Sequence, residues 1–455
     1  MCLTMKINAD FIERTTALFG KERFDGFMQG LESAPVVSIR YNEAKTDMRP
    51  AENPVPWASL GCYLPTRPVF TADPHFHAGC YYVQEASSMF LEQVVRQYVT
   101  SPVRALDLCA APGGKTTNLL SALPQGSMLV SNEPVPLRAQ ILAENVVKWG
   151  RTTSVVTRNE PADFSSFRNF FDIIVVDAPC SGEGMFRKDE QAREEWSEGN
   201  VRMCAARQAE ILDEAWKTLA DGGLLIYSTC TFNSEENEGS IRALTERVNG
   251  EIEAAEAIEC PAEWGVVCGR EGVWQTFRFY PHRTQSEGFF AAVARKASMG
   301  SRRITPKPRR KIMTNLGGKA REELSRWVEN PKAMRFAEVA GNCYGYYADV
   351  YEDVKHLAES LSVIYSGVEI GRIFGTTLKP DAALAFFAGL RRDAVPRAVL
   401  DREEALQYLR KQDVAAERFT EGMNLVECEG CALGFAKRIG NRCNNLFPNS
   451  LRILK

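Results

Sequence analysis

No stretch of this 455-residue chain approaches the roughly 18 consecutive apolar residues that suggest a membrane span. The leading residues, MCLTMKINADFIER, lack the apolar core and small-residue cleavage site of a secretory signal. The 13 cysteines follow no disulfide-like spacing, so they read as reduced thiols, and a cytoplasmic location away from membranes is expected. Internal repeats and extended low-complexity tracts are also missing. Net charge is close to balanced at −3 and neither implies nor excludes nucleic acid. What counts is where the basic residues sit: Arg302, Arg303, Lys307, Arg309, Arg310 and Lys311 form one run, and Lys437, Arg438, Arg442, Arg452 and Lys455 a sparser second set. Either could be no more than a solvated linker or tail. A zinc site is suggested by Cys428-x-x-Cys431 with Cys443, but a fourth ligand is wanting, since the last histidine, His356, lies far upstream. The pair reads as a β-turn containing two thiols, His75–His77 reads as loop structure, and no metal is expected.

What is present is length enough for two to four domains and a clear change of texture. Residues 1–97 mix short amphipathic helical patterns with Pro- and Gly-punctuated segments, and read as a small N-terminal α/β domain. From 98 to 296 the apolar segments ALDLC, SMLVSNE, TSVVT, DIIVVDAPC and GLLIYSTC alternate with helical stretches such as RMCAARQAEILDEAWKTLA. That alternation predicts a doubly wound α/β core, a parallel sheet with helices on both faces, closing near GFFAAVARK. Residues 297–319 read as a basic linker, 320–400 as an α+β connecting domain, and 401–455 as a terminal domain with a strand-turn pattern.

In a doubly wound sheet, ligands bind beyond the carboxyl ends of the strands. Cys109, Glu133, Asp177 and Cys230 each end or follow a strand. The turn LDLCAAPGGKTTNLL runs from strand to helix, and Gly113 and Gly114 permit a tight turn with free amides at the helix N-terminus. It is not a nucleotide phosphate loop, because Cys109 holds the position where that motif needs its first glycine, and the G-x-G-x-x-G fingerprint is absent. Glu133 follows at the distance expected of an acid gripping a ribose. Most cysteines in a soluble chain are inert packing. Cys180 and Cys230 differ because both fall at strand ends beside this turn, where a thiol can be exposed to substrate and tuned in pKa. Methylation of a pyrimidine at carbon 5 needs such a thiol, since adding a nucleophile to carbon 6 turns the ring into an enamine. A carboxylic acid near ring nitrogen 3 would help neutralise the charge that develops there. Asn233 or Ser234 is expected to cap the following helix.

The segments LDLCAAPGGKT, SNEPVPLRAQILAENVVKWG, FDIIVVDAPCSGEGMFRKD and YSTCTFNSEENE resemble, in this order, the RNA cytosine-5 methyltransferase family of NOL/NOP/Sun type. HAGCYYVQEASSM, SEGFF and CALGFAKRIGNRCNNLFPNSLR match its bacterial RsmF-like branch, which acts on 16S ribosomal RNA. The resemblance implies a Rossmann-like class I methyltransferase core, a small N-terminal α/β domain, and a mixed α+β C-terminal region ending in a PUA-like RNA-binding domain. It implies S-adenosyl-L-methionine as cofactor, held by Cys109, Ala110, Ala111, Pro112, Gly113, Gly114 and Lys115, with Glu133 on the ribose and Arg138 nearby. Glu160 is the third-strand contact by spacing, with Asn159 and Asp163 as alternatives. Cys230 would be the nucleophile, Cys180 would assist product release, and Asp177 would lie near methyl donor and base. The expected partner is RNA, 16S ribosomal RNA free or within the 30S subunit, and the expected state a monomer. Transfer RNA is the alternative substrate, and a catalytically inactive RNA-binding assembly factor the alternative class. A DNA cytosine methyltransferase would use the Pro179-Cys180 pair as nucleophile and lack the Thr-Cys-Thr site at 229–231.

Overall fold

The computed structural model describes residues 7–49 and 52–454. Residues 1–6 and Lys455, which enter the signal-peptide reading and the second basic set, lie outside the described residues. A ten-stranded sheet organises the chain. Its parallel strands lie in the order 154–157, 128–132, 104–107, 171–177 and 219–229. On Phe171–Asp177 and Leu219–Thr229, Ile174, Val176, Leu225 and Tyr227 enter one core, while Ile173, Val175, Leu224 and Ile226 enter the core on the opposite face. Burial on both faces explains why these segments read as continuous apolar runs. Helix Gly114–Ala122 covers one face with Leu119 and Leu120; helix Glu198–Thr218 covers the other with Ile211, Leu212 and Ala215. The second of these is started by Ser197, whose Oγ accepts from the Asn200 amide at 3.1 Å.

Strand order reverses between 104–107 and 171–177, and the cleft opens at the carboxyl ends there. Phe289–Lys296 pairs antiparallel with 219–229 and is followed outward by Trp274–Phe279 and Val267–Glu271. The sheet does not end with that strand. At the far edge Val363–Ser366 pairs antiparallel with 154–157, and Asn159 fixes the junction by exchanging two hydrogen bonds with the Ser362 backbone. A four-residue strand with a partner some two hundred residues upstream has no local signature.

The N-terminal segment forms a three-stranded antiparallel sheet, 61–64, 37–41 and 81–83, preceded by helices Ala9–Phe19 and Lys21–Glu32. His75–His77 forms part of a short helix, Pro74–Ala78, rather than a loop, because Asp73 Oδ1 accepts from the His75 amide and starts it. C-terminally, a five-stranded antiparallel sheet spanning 314–380 precedes a four-stranded sheet spanning 397–445. In the latter, Glu429 and Gly430 adopt positive φ and make the two-residue turn between Gly422–Cys428 and Cys431–Ile439. The basic stretch between core and C-terminal half is bound as a strap: the Ile304 amide donates to the Arg168 carbonyl, Arg309 to that of Glu359, and Met313 is buried in the core.

One buried cation joins the N-terminal sheet to the core. Arg40 donates to Gln84 Oε1 at 2.8 Å and Thr117 Oγ1 at 2.7 Å, with its guanidinium 4.5 Å from the Trp149 ring. Arg40→Ala should destabilise the protein by on the order of 2–4 kcal/mol, from lost charge-assisted hydrogen bonds and stem packing. Denaturant unfolding measures it, and the exposed Arg67→Ala is the control.

Candidate active site

Strand Arg104–Asp107 leads into the glycine turn, where Gly113 has φ +114°, a conformation only glycine adopts easily. The helix that follows has no side-chain cap, so its first amides remain free. The turn is pinned from outside: Asn145 Nδ2 donates to the Pro112 carbonyl at 2.8 Å, and Arg138 Nη2 to that of Ala111 at 3.2 Å. Arg138 also lies 3.3 Å from Glu133 Oε2. Glu133 is only 2% exposed, and its other oxygen accepts from the Val135 amide.

A cleft of about 570 Å³ opens above these strand ends. Cys109, Ala111, Glu133 and Arg138 line one wall, and Asp177, Cys180 and Cys230 another. Ala110, Pro112, Gly113, Gly114 and Lys115 do not line it; they shape the turn from behind. Ala110 packs on Leu142 and Val146, and Gly114 faces Tyr82 and Gln84 of the N-terminal segment. Lys115 reaches Asp177 Oδ2 at 2.8 Å. Burial is the largest influence and works against its charge, but Asp177 together with Cys230 and Asp107 outweighs it and holds the ammonium above its ordinary value. Of the three third-strand candidates only Glu160 lines the cleft. Asn159 is committed to the Ser362 backbone, and Asp163 Oδ2 accepts from the Glu160 amide in a capping box. The helix expected to be capped by Asn233 or Ser234 begins later, at Glu238. Those residues instead belong to the turn that presents Cys230.

Cys180 and Cys230 come from adjacent strands and their sulfurs lie 3.1 Å apart. The hydrogen bond with Cys230 and burial push the Cys180 thiol well above its usual range, so Cys180 keeps its proton. Asp177 stands on the same rim, its Oδ1 accepting from Ser228 Oγ at 2.8 Å.

Two buried acids that sequence reasoning passed over fix this geometry. Glu183 Oε2 accepts from the Phe232 and Asn233 amides at 2.7 and 3.0 Å, and Oε1 from Trp196 Nε1 at 3.0 Å. Glu236 accepts from the Ser181 amide at 2.9 Å and from Gln208 Nε2 and Asn233 Nδ2 at 2.8 Å. The loop after Cys180 and the loop after Cys230 are thus cross-braced, each by an acid from the other. Gly184 makes the close approach possible: its amide donates to the Cys230 carbonyl at 2.7 Å, and a Cβ there would stand 2.7 Å from that oxygen. Arg207, Glu210 and Glu214 of helix Glu198–Thr218, also unforeseen, line the cleft. Both bracing acids sit within family motifs, but in SGEG and SEENE they look like surface charge.

Comparison with known proteins agrees with this architecture. Residues 100–295 match the family model of the 16S rRNA methyltransferase RsmB/F, residues 7–86 that of the N-terminal domain of 16S rRNA methyltransferase RsmF, and residues 397–453 that of the methyltransferase RsmF PUA domain. The chain is 30% identical to ribosomal RNA small subunit methyltransferase F of Aeromonas hydrophila, over 88% of this chain and 85% of that protein. It is 27% identical to the protein of that name from Vibrio parahaemolyticus, over 97% and 96%. Among solved structures, NSun6 from Pyrococcus horikoshii with SFG superposes with a TM-score of 0.53 at 21% identity, covering 65% of this chain and all of that one. A methyltransferase homologue from the same organism gives 0.53 at 24%, covering 65% and 97%. These two likenesses bear on the fold alone.

Asp107, at the end of the first parallel strand, supplies a pH test. Burial is the main cause of its carboxyl being pushed up to about 7 from 3.8, although Thr116 Oγ1 donates to it at 2.7 Å. Between those values the folded protein keeps a proton that the unfolded chain has released, so stability falls as pH rises through that window. Asp107→Asn should flatten the dependence, as measured by urea unfolding at a series of pH values.

Proposed function

Because the chain belongs to the 16S rRNA methyltransferase RsmB/F family, we propose that it methylates carbon 5 of a cytidine in small-subunit ribosomal RNA. S-adenosylmethionine is the methyl donor in this reading, and Cys230 the nucleophile. The observation that carries it is the pair of thiols 3.1 Å apart on the rim of one cleft, opposite Glu133 and beside Asp177. The donor set suits a nucleoside with a charged amino-acid tail. Glu133 follows the second strand as an acceptor for ribose hydroxyls, and Arg138 and Glu160 flank the opening. A cleft of about 570 Å³ is of the size that takes a small-molecule ligand. Bound there, S-adenosylmethionine supplies an electrophilic methyl group.

The protein's own work is on the base. Cys230 Sγ adds to carbon 6, and the electron pair of the 5,6 double bond makes carbon 5 nucleophilic. Asp177, held between Lys115 and Ser228, is assigned to the side of the ring facing nitrogen 3, where the Lys115 ammonium paired with it offsets the negative charge that collects. Once carbon 5 carries both hydrogen and methyl, its proton passes to a water in the cleft, the C–H electron pair re-forms the 5,6 double bond, and the bond from Cys230 to carbon 6 breaks with its electrons going to sulfur. Cys180, which retains its proton beside the Cys230 sulfur, is placed to protonate the departing thiolate. Burial of the cleft between strand ends requires that the target base be turned out of its stack.

RNA binding outside the cleft is assigned to the C-terminal domain. Lys437 and Arg442 are exposed on adjacent paired strands and Arg452 follows, whereas Arg438 is occupied by the Gly440 and Phe419 carbonyls. This domain packs its Leu425 and Phe435 into the core of the preceding sheet, so point changes test it better than deletion.

Cys230→Ala should form no covalent adduct with RNA and show no turnover. Cys180→Ala should methylate once and stall as an adduct that survives denaturing electrophoresis and depends on Cys230. Turnover retained in both variants would refute the roles, and exchange of the two phenotypes would make Cys180 the nucleophile. Gly184→Ala should force the Cys230 loop outward and lower methylation about 100-fold, as a misplacement of about 1 Å can, with the fold retained by circular dichroism. Lys437→Ala with Arg442→Ala should weaken RNA binding and leave cofactor affinity unchanged. The slope of log affinity against log salt should become shallower by about 0.7–0.9 for each phosphate no longer neutralised.

A further inference from the structure

A second close pair of thiols lies far from the cleft. Cys80, after the short N-terminal helix Pro74–Ala78, and Cys431, opening the C-terminal strand Cys431–Ile439, place their sulfurs 2.7 Å apart across 351 positions of sequence. Neither belongs to the catalytic apparatus, and Cys428, two turn residues before Cys431, does not share the contact.

The surroundings are those of a reactive thiol rather than of inert packing. Lys45 stands half-buried beside the pair and donates to the Ala78 carbonyl at 2.7 Å. Desolvation pushes its ammonium down to about 8, and the positive charge it carries favours a thiolate on Cys431. The hydrogen bond with Cys431 and burial, by contrast, hold the Cys80 thiol well above its ordinary range. His75 lies within 3.3 Å of Asp73 and 3.4 Å of Glu429, and these acids together with Cys431 favour its imidazolium. The hydrogen bond from Cys80 is the largest influence drawing the Cys431 thiol down to about 5, with His75 and Lys45 acting in the same direction against burial. The acids that balance this charge also join the two ends of the chain, since Arg402 binds both Asp73 and Glu429.

There is also a way in. A cavity of about 100 Å³ is bounded by Lys45 and Cys80 from the N-terminal segment, Phe386 and Leu390 from the connecting region, and Cys431 and Ala432 from the terminal domain. That admits a small oxidant and excludes a peptide-sized one. Cys80 is otherwise sealed, at 0% exposure, and Cys431 is 8% exposed.

We propose that Cys80 and Cys431 form a reversible disulfide that ties the C-terminal RNA-binding domain to the N-terminal segment under peroxide. Cys431 thiolate attacks one oxygen of hydrogen peroxide, the O–O bond breaks, and hydroxide leaves a sulfenic acid on Cys431. The Cys80 sulfur then attacks that sulfenic sulfur, forming the S–S bond; the S–O bond breaks and the Cys80 proton leaves with the hydroxyl as water. In sum two thiols and one peroxide give one disulfide and two waters. A small dithiol reductant reverses it by exchange. The link closes most of the chain into a loop, so it changes the unfolded form more than the folded one.

The test uses the full chain, treated with graded hydrogen peroxide and then alkylated with N-ethylmaleimide before non-reducing peptide mapping. The expected result is a cross-linked peptide pair containing Cys80 and Cys431, lost on dithiothreitol treatment, with faster migration of the denatured chain on a non-reducing gel. In Cys80→Ser the cross-link should vanish and Cys431 should accumulate as a sulfenic acid trapped by dimedone. Recovery of both thiols as maleimide adducts, at peroxide levels that oxidise the exposed Cys268, would overturn the proposal. So would dimedone labelling of Cys431 in Cys80→Ser no faster than that of Cys268 in the same variant.

Discussion

Glu183 and Glu236 accept hydrogen bonds across the gap between two loops that leave neighbouring strands, and the placement of both cleft thiols depends on those bonds. Each loop alone would be a short irregular segment with unpaired amides. Together they satisfy each other, through Asn233, which reaches both acids, and Gln208, which ties Glu236 to the Pro179 carbonyl. Such a network is rigid only when complete, because a buried acid that loses its donors is left costly and unpaired. Burial pushes the Glu236 carboxyl up while hydrogen bonds from Ser181 and Asn233 pull against it.

The brace is itself held from behind. Phe11, Phe27 and Leu31 of the two N-terminal helices pack with Phe186, Trp196 and Phe232, and the Phe27 and Phe232 rings meet edge to face at 4.8 Å. Trp196 also donates to Glu183, so the aromatic cluster and the polar network share a residue. The N-terminal segment therefore bears on the placement of the two cleft thiols. Arg40 and Gly114 join it to the glycine turn on the other side, through Thr117 and Tyr82.

Further from the cleft the same economy holds. The basic strap, the strand Val363–Ser366 and Asn159 attach the C-terminal half to the edge of the main sheet. Several basic residues that look free in the sequence are thereby committed. Arg310 donates to the Leu361 carbonyl and Arg303 lies 3.6 Å from Asp172, which leaves fewer cations for phosphate than composition suggests.

The sequence by itself determined the central strands, the glycine turn and the identity of the two cleft cysteines. Those features are local: β-branched runs buried on both faces, a position that only glycine tolerates, thiols directly after strand ends. It also located Glu133 and Asp177, because an acid at a strand's carboxyl end has a fixed place in this topology. Only the tertiary structure decided that Lys115 serves Asp177 rather than lining the cleft, and that Glu160 rather than Asn159 or Asp163 faces it. It alone turned Glu183 and Glu236 from apparent surface acids into the brace, and brought Cys80 against Cys431. Apart from the local capping box of Asp163, the deciding partner lies on another segment, and contacts across segments leave no periodicity in the chain to be read.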